Sequence, residues 1–175
     1  MTETPETIRV IMERQSCRYF LPDDLPQEHL ELILEAMRWA PSAGNTQPWR
    51  FRIIRDDERK LRLAAAAFGQ RFIAEAPVII VVCALPEVSR AQYGQRGAEF
   101  YCIQDTAVAM QNGLLAATAL GYGTCWIGAF DEKHAAEALK LPADERPVAM
   151  MPIGKPRRMG HRTSRKPKDE VIVEE

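Results

Sequence analysis

The sequence predicts an α+β sandwich, a central sheet flanked by helices. Three observations predict it. Helical and strand-like segments follow one another along the 175 residues without internal repeats or low-complexity stretches. The run Val78-Ile79-Ile80-Val81-Val82-Cys83 is almost continuously β-branched, the pattern of a strand buried on both faces. From about Glu99 to Leu120 the chain is apolar or small nearly all round, the pattern of a helix buried in a core or an interface. The length fits a single domain, 1–175, ending in a basic tail, 155–175.

Taken in order, Thr4-Pro5-Glu6 offers a capping hydroxyl and a proline at the first helical position, predicting a helix to about Arg14. Gln15 to Leu25 reads as irregular. Pro26 opens a second helix, with Leu30, Ile33, Leu34 and Met37 on one face, and Pro41 ends it. A loop of small and amide residues, Ser42 to Pro48, follows. Trp49, Phe51 and Ile53 alternate with Arg50 and Arg52, predicting a strand with one wet face. Asp56 or Asp57 caps a third helix running through Leu61, Ala64 and Phe68. After the buried strand and the long helix, which Gly121 stops, Thr124 to Ile127 reads as a short buried strand. Asp131 caps a further helix to Lys140, and Val148 to Ile153 is the last strand.

Composition excludes several classes. Lys+Arg is 23 and Asp+Glu 24, a net charge of -1, so charge points to neither nucleic acid nor an anionic membrane. The longest strongly apolar run, Ala76 to Leu85, is broken by Pro77 and falls well short of the roughly 20 residues of a membrane span. The first eighteen residues carry acids and no apolar run, so no secretory leader is expected. Four scattered cysteines, Cys17, Cys83, Cys102 and Cys125, fit reduced thiols in a cytoplasmic protein. No nucleophile elbow, H-E-x-x-H or P-loop is present. His29 and His134 read as exposed, and Cys125 as a small core residue.

Four segments carry candidate chemistry, each with an ordinary alternative. Arg14-Gln15-Ser16-Cys17-Arg18 can hold a phosphate through guanidinium and hydroxyl donors, and is also a solvated turn at a helix end. Pro41 to Trp49 (PSAGNTQPW) can read the polar edge of a heteroaromatic ring through Asn45 and Gln47, and is also a common helix-to-strand connection. Gly121 to Gly128 (GYGTCWIG) can bring backbone close to a flat ligand, and is also a helix cap with a packed strand, Trp126 then belonging to the core. The basic tail around Arg165 can close on a phosphate, and is also a solvated tail.

In register, these segments resemble the nitroreductase family of FMN-dependent oxidoreductases. Arg14-Gln15-Ser16-Cys17-Arg18-Tyr19-Phe20 is similar to its N-terminal motif Arg-x-Ser-x-Arg-x-Phe, and Pro41 to Trp49 to its most specific signature. Ala109-Met110-Gln111-Asn112 with Leu114-Leu115-Ala116-Ala117 resembles its central helix, Gly121 to Phe130 the flavin-facing strand, and Pro152 to Pro156 with Ser164 to Pro167 the C-terminal end. The resemblance spans roughly Ile8 to Val173.

It implies a mostly antiparallel sheet and an obligate homodimer with an FMN at each of two interface sites. Arg14, Ser16, Arg18 and Arg165 would hold phosphate and ribityl. Gln15 stands among them where the family often has a second Arg, one cation fewer, a difference of about 1–2 kcal/mol. Pro41, Ser42, Ala43, Asn45 and Gln47 would approach the flavin from the partner subunit. Trp126, Ile127 and Gly128 would lie along the ring, their backbone N–H groups near its N5 and O4 side. The implied activity is hydride transfer from NADH or NADPH through FMN to a nitroaromatic, quinone or similar small-molecule acceptor in a ping-pong cycle, with no catalytic side chain and no metal. The cover that larger members carry over the site is expected to be absent or small, around Glu87 to Gly97. The same fold also serves flavin-binding, flavin-processing or reductive-dehalogenase-like roles, and the apolar helix alone would suit a non-enzymatic dimeric interaction module.

Overall fold

The computed structural model describes residues 3–175. Its four strands, β1 (Trp49–Ile54), β2 (Val78–Ala84), β3 (Gly123–Thr124) and β4 (Arg146–Gly154), form one antiparallel sheet in the order β1-β2-β4-β3. Seven α-helices surround it among the described residues: α1 (Glu6–Glu13), α2 (Gln27–Arg38), α3 (Asp57–Ala66), α4 (Phe72–Glu75), α5 (Pro86–Arg96), α6 (Cys102–Ala119) and α7 (Glu132–Leu139).

Strand β2 is buried along its whole length, as its unbroken apolar run dictates. The two-residue period of a strand then divides the core. Ile79, Val81 and Cys83 pack with Leu63 of α3, Ile73 of α4 and Ala135 and Leu139 of α7. Val78, Ile80 and Val82 pack on the other face with Leu30, Ile33 and Met37 of α2 and Met110, Leu114 and Ala117 of α6. The expected sandwich is therefore present. Gly113 lets α6 sit close to both neighbours, because a Cβ there would lie 2.9 Å from Met37 and Met151 side-chain atoms.

One buried charge ties an edge to the centre. The Glu145 carboxylate, with no exposed side-chain surface, accepts from Arg50 at 2.6 Å and from Arg52 at 2.9 and 2.5 Å. These guanidiniums hold its carboxyl below the usual carboxylate range against the opposing effect of burial.

Several elements differ from the sequence reading. Thr4 makes no cap, since Pro5 occupies the cap position of α1 and no side chain bonds the free N–H groups. In β1 the alternation fails at its end: Ile53 is exposed and Ile54 buried. Asp56 caps α3, accepting the Arg59 N–H at 2.9 Å, but α3 stops at Ala66. Leu61 and Phe68 face solvent, Phe68 with a left-handed backbone (φ 57°), and Leu63 and Ala64 form the buried face. The long helix starts at Cys102, after a π-helical turn at Gly97–Tyr101. Thr124 to Ile127 is not a continuous strand: pairing with β4 stops at Thr124, and only a single bridge joins Ile127 to Met150. His29 is not simply exposed, because its Nδ1 lies 2.8 Å from the hydroxyl of buried Tyr122. Glu87 to Gly97 is mostly helix, α5, bent where Gly94 takes φ 59° and ψ −147°. Asp131 caps α7 as expected, accepting the His134 N–H at 2.9 Å. No helix among the described residues is long and apolar enough to cross a membrane.

Candidate functional site

The candidate residues fall into two groups on this chain. The first forms where α1 ends. Arg14 leaves helical geometry (φ −53°, ψ 126°) while its N–H still bonds the Val10 carbonyl at 3.0 Å. The chain is then extended, Ser16 bridges Thr124 in parallel, and the Cys17 N–H donates to the Thr124 carbonyl at 2.7 Å. The N-terminal motif is thereby laid along the Gly123–Gly128 segment. The Ser16 hydroxyl and the Arg14 and Arg18 charges all act on the Cys125 thiol, favouring its ionised form. Burial nevertheless dominates and pushes the Cys125 thiol up, so it behaves as a small core side chain.

Among the described residues neither Arg14 nor Arg18 pairs with a carboxylate, although most other arginines do. Arg18 instead lies over the Phe72 ring, 5.8 Å from its centroid. Two guanidiniums without counter-charges, beside a hydroxyl, suit a phosphate monoester. The Gln15 side-chain oxygen and the Thr124 hydroxyl in the same place are buried without a hydrogen-bond partner.

The C-terminal stretch closes over this turn within the same chain. Leu21 N–H donates to Lys155 O at 2.8 Å and Arg157 N–H to Tyr19 O at 2.9 Å. Arg158 stacks on Tyr19 with its guanidinium carbon 3.7 Å from the ring centroid, and Arg162 donates to Met12 O at 2.6 Å. Arg165 makes no such contact among the described residues: it is exposed and bonds there only Thr163 and Ser164. The basic run in the sequence carried the signal for Arg158 and Arg162, but nothing in it ranked them above Arg165.

On the Gly123–Gly128 segment, Trp126 is 39% exposed and so is not a core residue. Ile127 is buried, and its N–H is committed to the Met150 carbonyl at 2.9 Å. Of the three residues expected along the ring, Ile127 thus has its N–H already bonded within the chain. Gly128 is exposed next to the indole: a Cβ there would lie 3.4 Å from Trp126 Nε1.

The second group is the amide loop. Ala43–Asn45 is a single 3₁₀ turn after Pro41, and Gly44, Asn45 and Gln47 all have left-handed backbone (φ 54°, 55° and 49°). The loop bonds itself: Gln47 N–H to Ser42 Oγ at 2.9 Å, Thr46 Oγ1 to Ala43 O at 3.0 Å, and Asn45 N–H to Ser42 O at 3.0 Å. The Asn45 and Gln47 side chains stay exposed. Sequence reasoning missed what holds this loop from outside. Asp105 of α6 accepts the Ala43 N–H at 3.1 Å, and Gln92 and Tyr93 of α5 crowd the position a Gly44 Cβ would take. Among the described residues no hydrogen bond or salt bridge joins the loop to the Arg14–Arg18 turn.

The described residues contain no group of His, Cys, Asp and Glu arranged to hold a metal. A groove of about 360 Å³ runs between α1, α2 and α6, lined by Val10, Ala36, Leu115, Ala116 and Ala119 with Asn112. Ile8, Ile11 and Met12 of α1 are exposed, and α1 buries no residue in this chain.

Comparison with known proteins bears on the family and the fold. The sequence matches the profile described as Nitroreductase family over residues 11–71 and 60–155. It is 38% identical over 136 residues to a putative NADH dehydrogenase/NAD(P)H nitroreductase of Archaeoglobus fulgidus, covering 77% of this chain and 74% of the relative. It is 29% identical over 185 residues to an FMN reductase [NAD(P)H] of Bacillus subtilis, covering 97% and 74%. The fold superposes on the hypothetical oxidoreductase YcnD of Bacillus subtilis with a TM-score of 0.90 at 28% identity, over 98% of this chain and 74% of that one. It superposes on a nitroreductase family protein of Clostridium novyi with a TM-score of 0.79 at 35% identity, over 87% and 86%. With the profile matched across most of its length and the fold shared, the chain belongs to the nitroreductase family and is an oxidoreductase.

Proposed function

We propose that this protein is an FMN-dependent NAD(P)H oxidoreductase that works as a homodimer and reduces a small-molecule acceptor such as a nitroaromatic or quinone. The observation that carries the reading is the gathering of Arg14, Ser16 and Arg18 along the Gly123–Gly128 segment, with no carboxylate among the described residues paired to either guanidinium. Such a donor set fits the phosphate of FMN, and Arg158 and Arg162 add cations from the C-terminal stretch. When bound, FMN supplies the two-electron relay between nicotinamide and acceptor.

The chain's own residues bind and orient. Arg14, Ser16 and Arg18 hold the phosphate and ribityl end, with Gln15 among them and Arg165 free to reach in from the tail. Trp126 and Gly128 border the ring, and Ile127 anchors that segment to β4 through its two bonds to Met150. Pro41, Ser42, Ala43, Asn45 and Gln47 serve the site of the second subunit, a role supported by the lack, among the described residues, of any hydrogen bond or salt bridge between this loop and the Arg14 turn of the same chain. The uncovered apolar side of α1 and the α1–α2–α6 groove supply the surface for that subunit. Four buried free cysteines suit a cytoplasmic protein.

The test is the visible spectrum of the purified protein, before and after NADH or NADPH is added without oxygen, with its mass measured in solution. Flavin bands that bleach with a nicotinamide and return with an acceptor, in a dimer, are the expected result. Protein that binds no FMN overturns the reading. Bound flavin that no nicotinamide bleaches would instead favour a flavin-binding or flavin-processing role.

A further inference from the structure

We infer that Asp105 is a positioning residue, holding the 42–47 loop in the shape that lets Ser42, Asn45 and Gln47 meet the flavin of the partner subunit. The inference rests on the proposed flavin site and adds to it a residue of the central helix that touches no ligand.

The loop needs an outside hold. Asn45 and Gln47 are side-chain-bearing residues in left-handed backbone, a conformation that Asn tolerates but that is strained for Gln and persists only where the surroundings over-determine it. The bonds among Ser42, Ala43, Asn45, Thr46 and Gln47 shape the loop, and its C-terminal end is tied only to the adjoining start of β1, leaving its N-terminal part to be held from elsewhere. Besides the neighbouring Trp49 N–H, which donates to the Gln47 carbonyl at 2.8 Å, the Asp105 carboxylate is, among the described residues, the only side chain of another element that hydrogen-bonds within 42–47. It takes the N–H of Ala43, the first residue of the 3₁₀ turn and a donor that the turn itself leaves unpaired. Asp105 thus caps that turn from a distant helix.

The carboxylate is costly where it sits. Asp105 is 7% exposed, its second oxygen is buried with no partner, and burial pushes its pKa up. An apolar side chain at this point of α6 would avoid that cost, so the residue is explained by the bond it makes. The bond needs an oxygen acceptor and not a charge. Asparagine supplies the acceptor, and alanine does not.

The experiment measures FMN affinity by flavin fluorescence quenching for Asp105→Asn and Asp105→Ala, then FMN bound per dimer in differently tagged, co-expressed heterodimers. Asp105→Asn is expected within about twofold of the unsubstituted protein, and Asp105→Ala about tenfold weaker, the scale of one hydrogen bond. The control pairs Arg14→Ala with Asn45→Ala and is expected to recover one FMN per dimer. Asp105→Ala paired with Arg14→Ala should recover one as well, because the intact loop and the intact phosphate turn meet at one site. At free FMN about three times the unsubstituted Kd, Asp105→Ala paired with Asn45→Ala should leave both sites mostly empty, since both lesions fall on the same side of each site and each weakens it about tenfold. Equal recovery in those two pairings, or Asp105→Asn as weak as Asp105→Ala, overturns the role of Asp105. If the control recovers nothing while the unsubstituted protein binds FMN, the shared site fails and the inference for Asp105 with it. If the unsubstituted protein binds no FMN, the proposed function itself fails.

Discussion

Gly44→Ala tests whether the amide loop is held as the structure describes. At φ 54° an alanine pays about 1–2 kcal/mol for left-handed backbone. It recovers about 0.4–1 kcal/mol because the unfolded chain loses freedom. The new methyl also falls on the Gln92 amide and the Tyr93 hydroxyl. Gln92 is flexible and exposed, but Tyr93 is half-buried in an edge-on stack with Tyr101, their centroids 5.2 Å apart. Overpacking of that kind costs about 1–3 kcal/mol. The net loss is about 2–3 kcal/mol, which at a slope near 2 kcal/mol per molar urea lowers the unfolding midpoint by roughly 1–1.5 M. The assay is urea unfolding at one fixed protein concentration, because association contributes to apparent stability. A midpoint within about 0.3 M of the unsubstituted protein would refute the packing of α5 on this loop.

Asn45→Gly separates the loop's shape from its chemistry. Glycine takes the same backbone without strain, so stability should stay within about 0.5 kcal/mol by the same urea assay. FMN affinity, read by fluorescence quenching, should fall about tenfold with the lost amide. Glu145→Gln weakens the clamp on Arg50 and Arg52, and chemical denaturation at pH 7 should show a loss of about 2 kcal/mol, discounted for the partly exposed arginines. Its pH dependence has a definite sign. The Glu145 pKa is lowered on folding, so its stabilisation is complete above the unfolded value near 4.3 and disappears as pH falls through the folded one. The stability gap between the two proteins should therefore shrink on acidification below about pH 5, and a constant gap would count against the clamp. All four thiols are buried, and burial raises the Cys83 pKa to about 12 and those of Cys102 and Cys125 as well. A thiol reagent should label the native protein slowly and four sites on unfolding. Rapid labelling of Cys125 in the native state would mark it as accessible and reactive.

The sheet's centre was legible because its signal is local and strong. A run like Val78–Cys83 can be satisfied only by burial on both faces, and Asp131 caps α7 through a bond three residues away. The reading failed where a neighbour in space overrides the local pattern. Ile53 should have faced inward, but Ile54 is the residue that packs with Ile79 and Leu63. The pattern runs the third helix through Leu61, Ala64 and Phe68; Ala64 does face the core, but its buried companion is Leu63, because α4 and α7 cover that side and leave Leu61 and Phe68 in solvent. The segment after Gly121 was read as one strand, but its pairing with β4 stops at Thr124.

The candidate site shows the same division. Arg14, Ser16 and Arg18 could be picked from the sequence because their residue types declare their chemistry, and the structure gathers them on Thr124 and Cys125. Tail cations could not be ranked that way. Arg158, Arg162 and Arg165 have the same side chain, and the difference lies in where the backbone runs: 155–157 pairs with 19–21, leaving Arg158 on Tyr19 and Arg165 in solvent. The supports were the least legible. Asp105 sits 62 residues from Ala43 within a helix whose small and apolar residues announce only burial. A carboxylate in such a helix reads as an exception to its pattern, and its partner is a backbone N–H, which every residue but proline carries. Residues that touch a ligand therefore reveal themselves by type, whereas residues that hold them in place are defined by geometry, and a substitution series confined to the recognisable motifs would pass over Asp105, Gln92 and Tyr93.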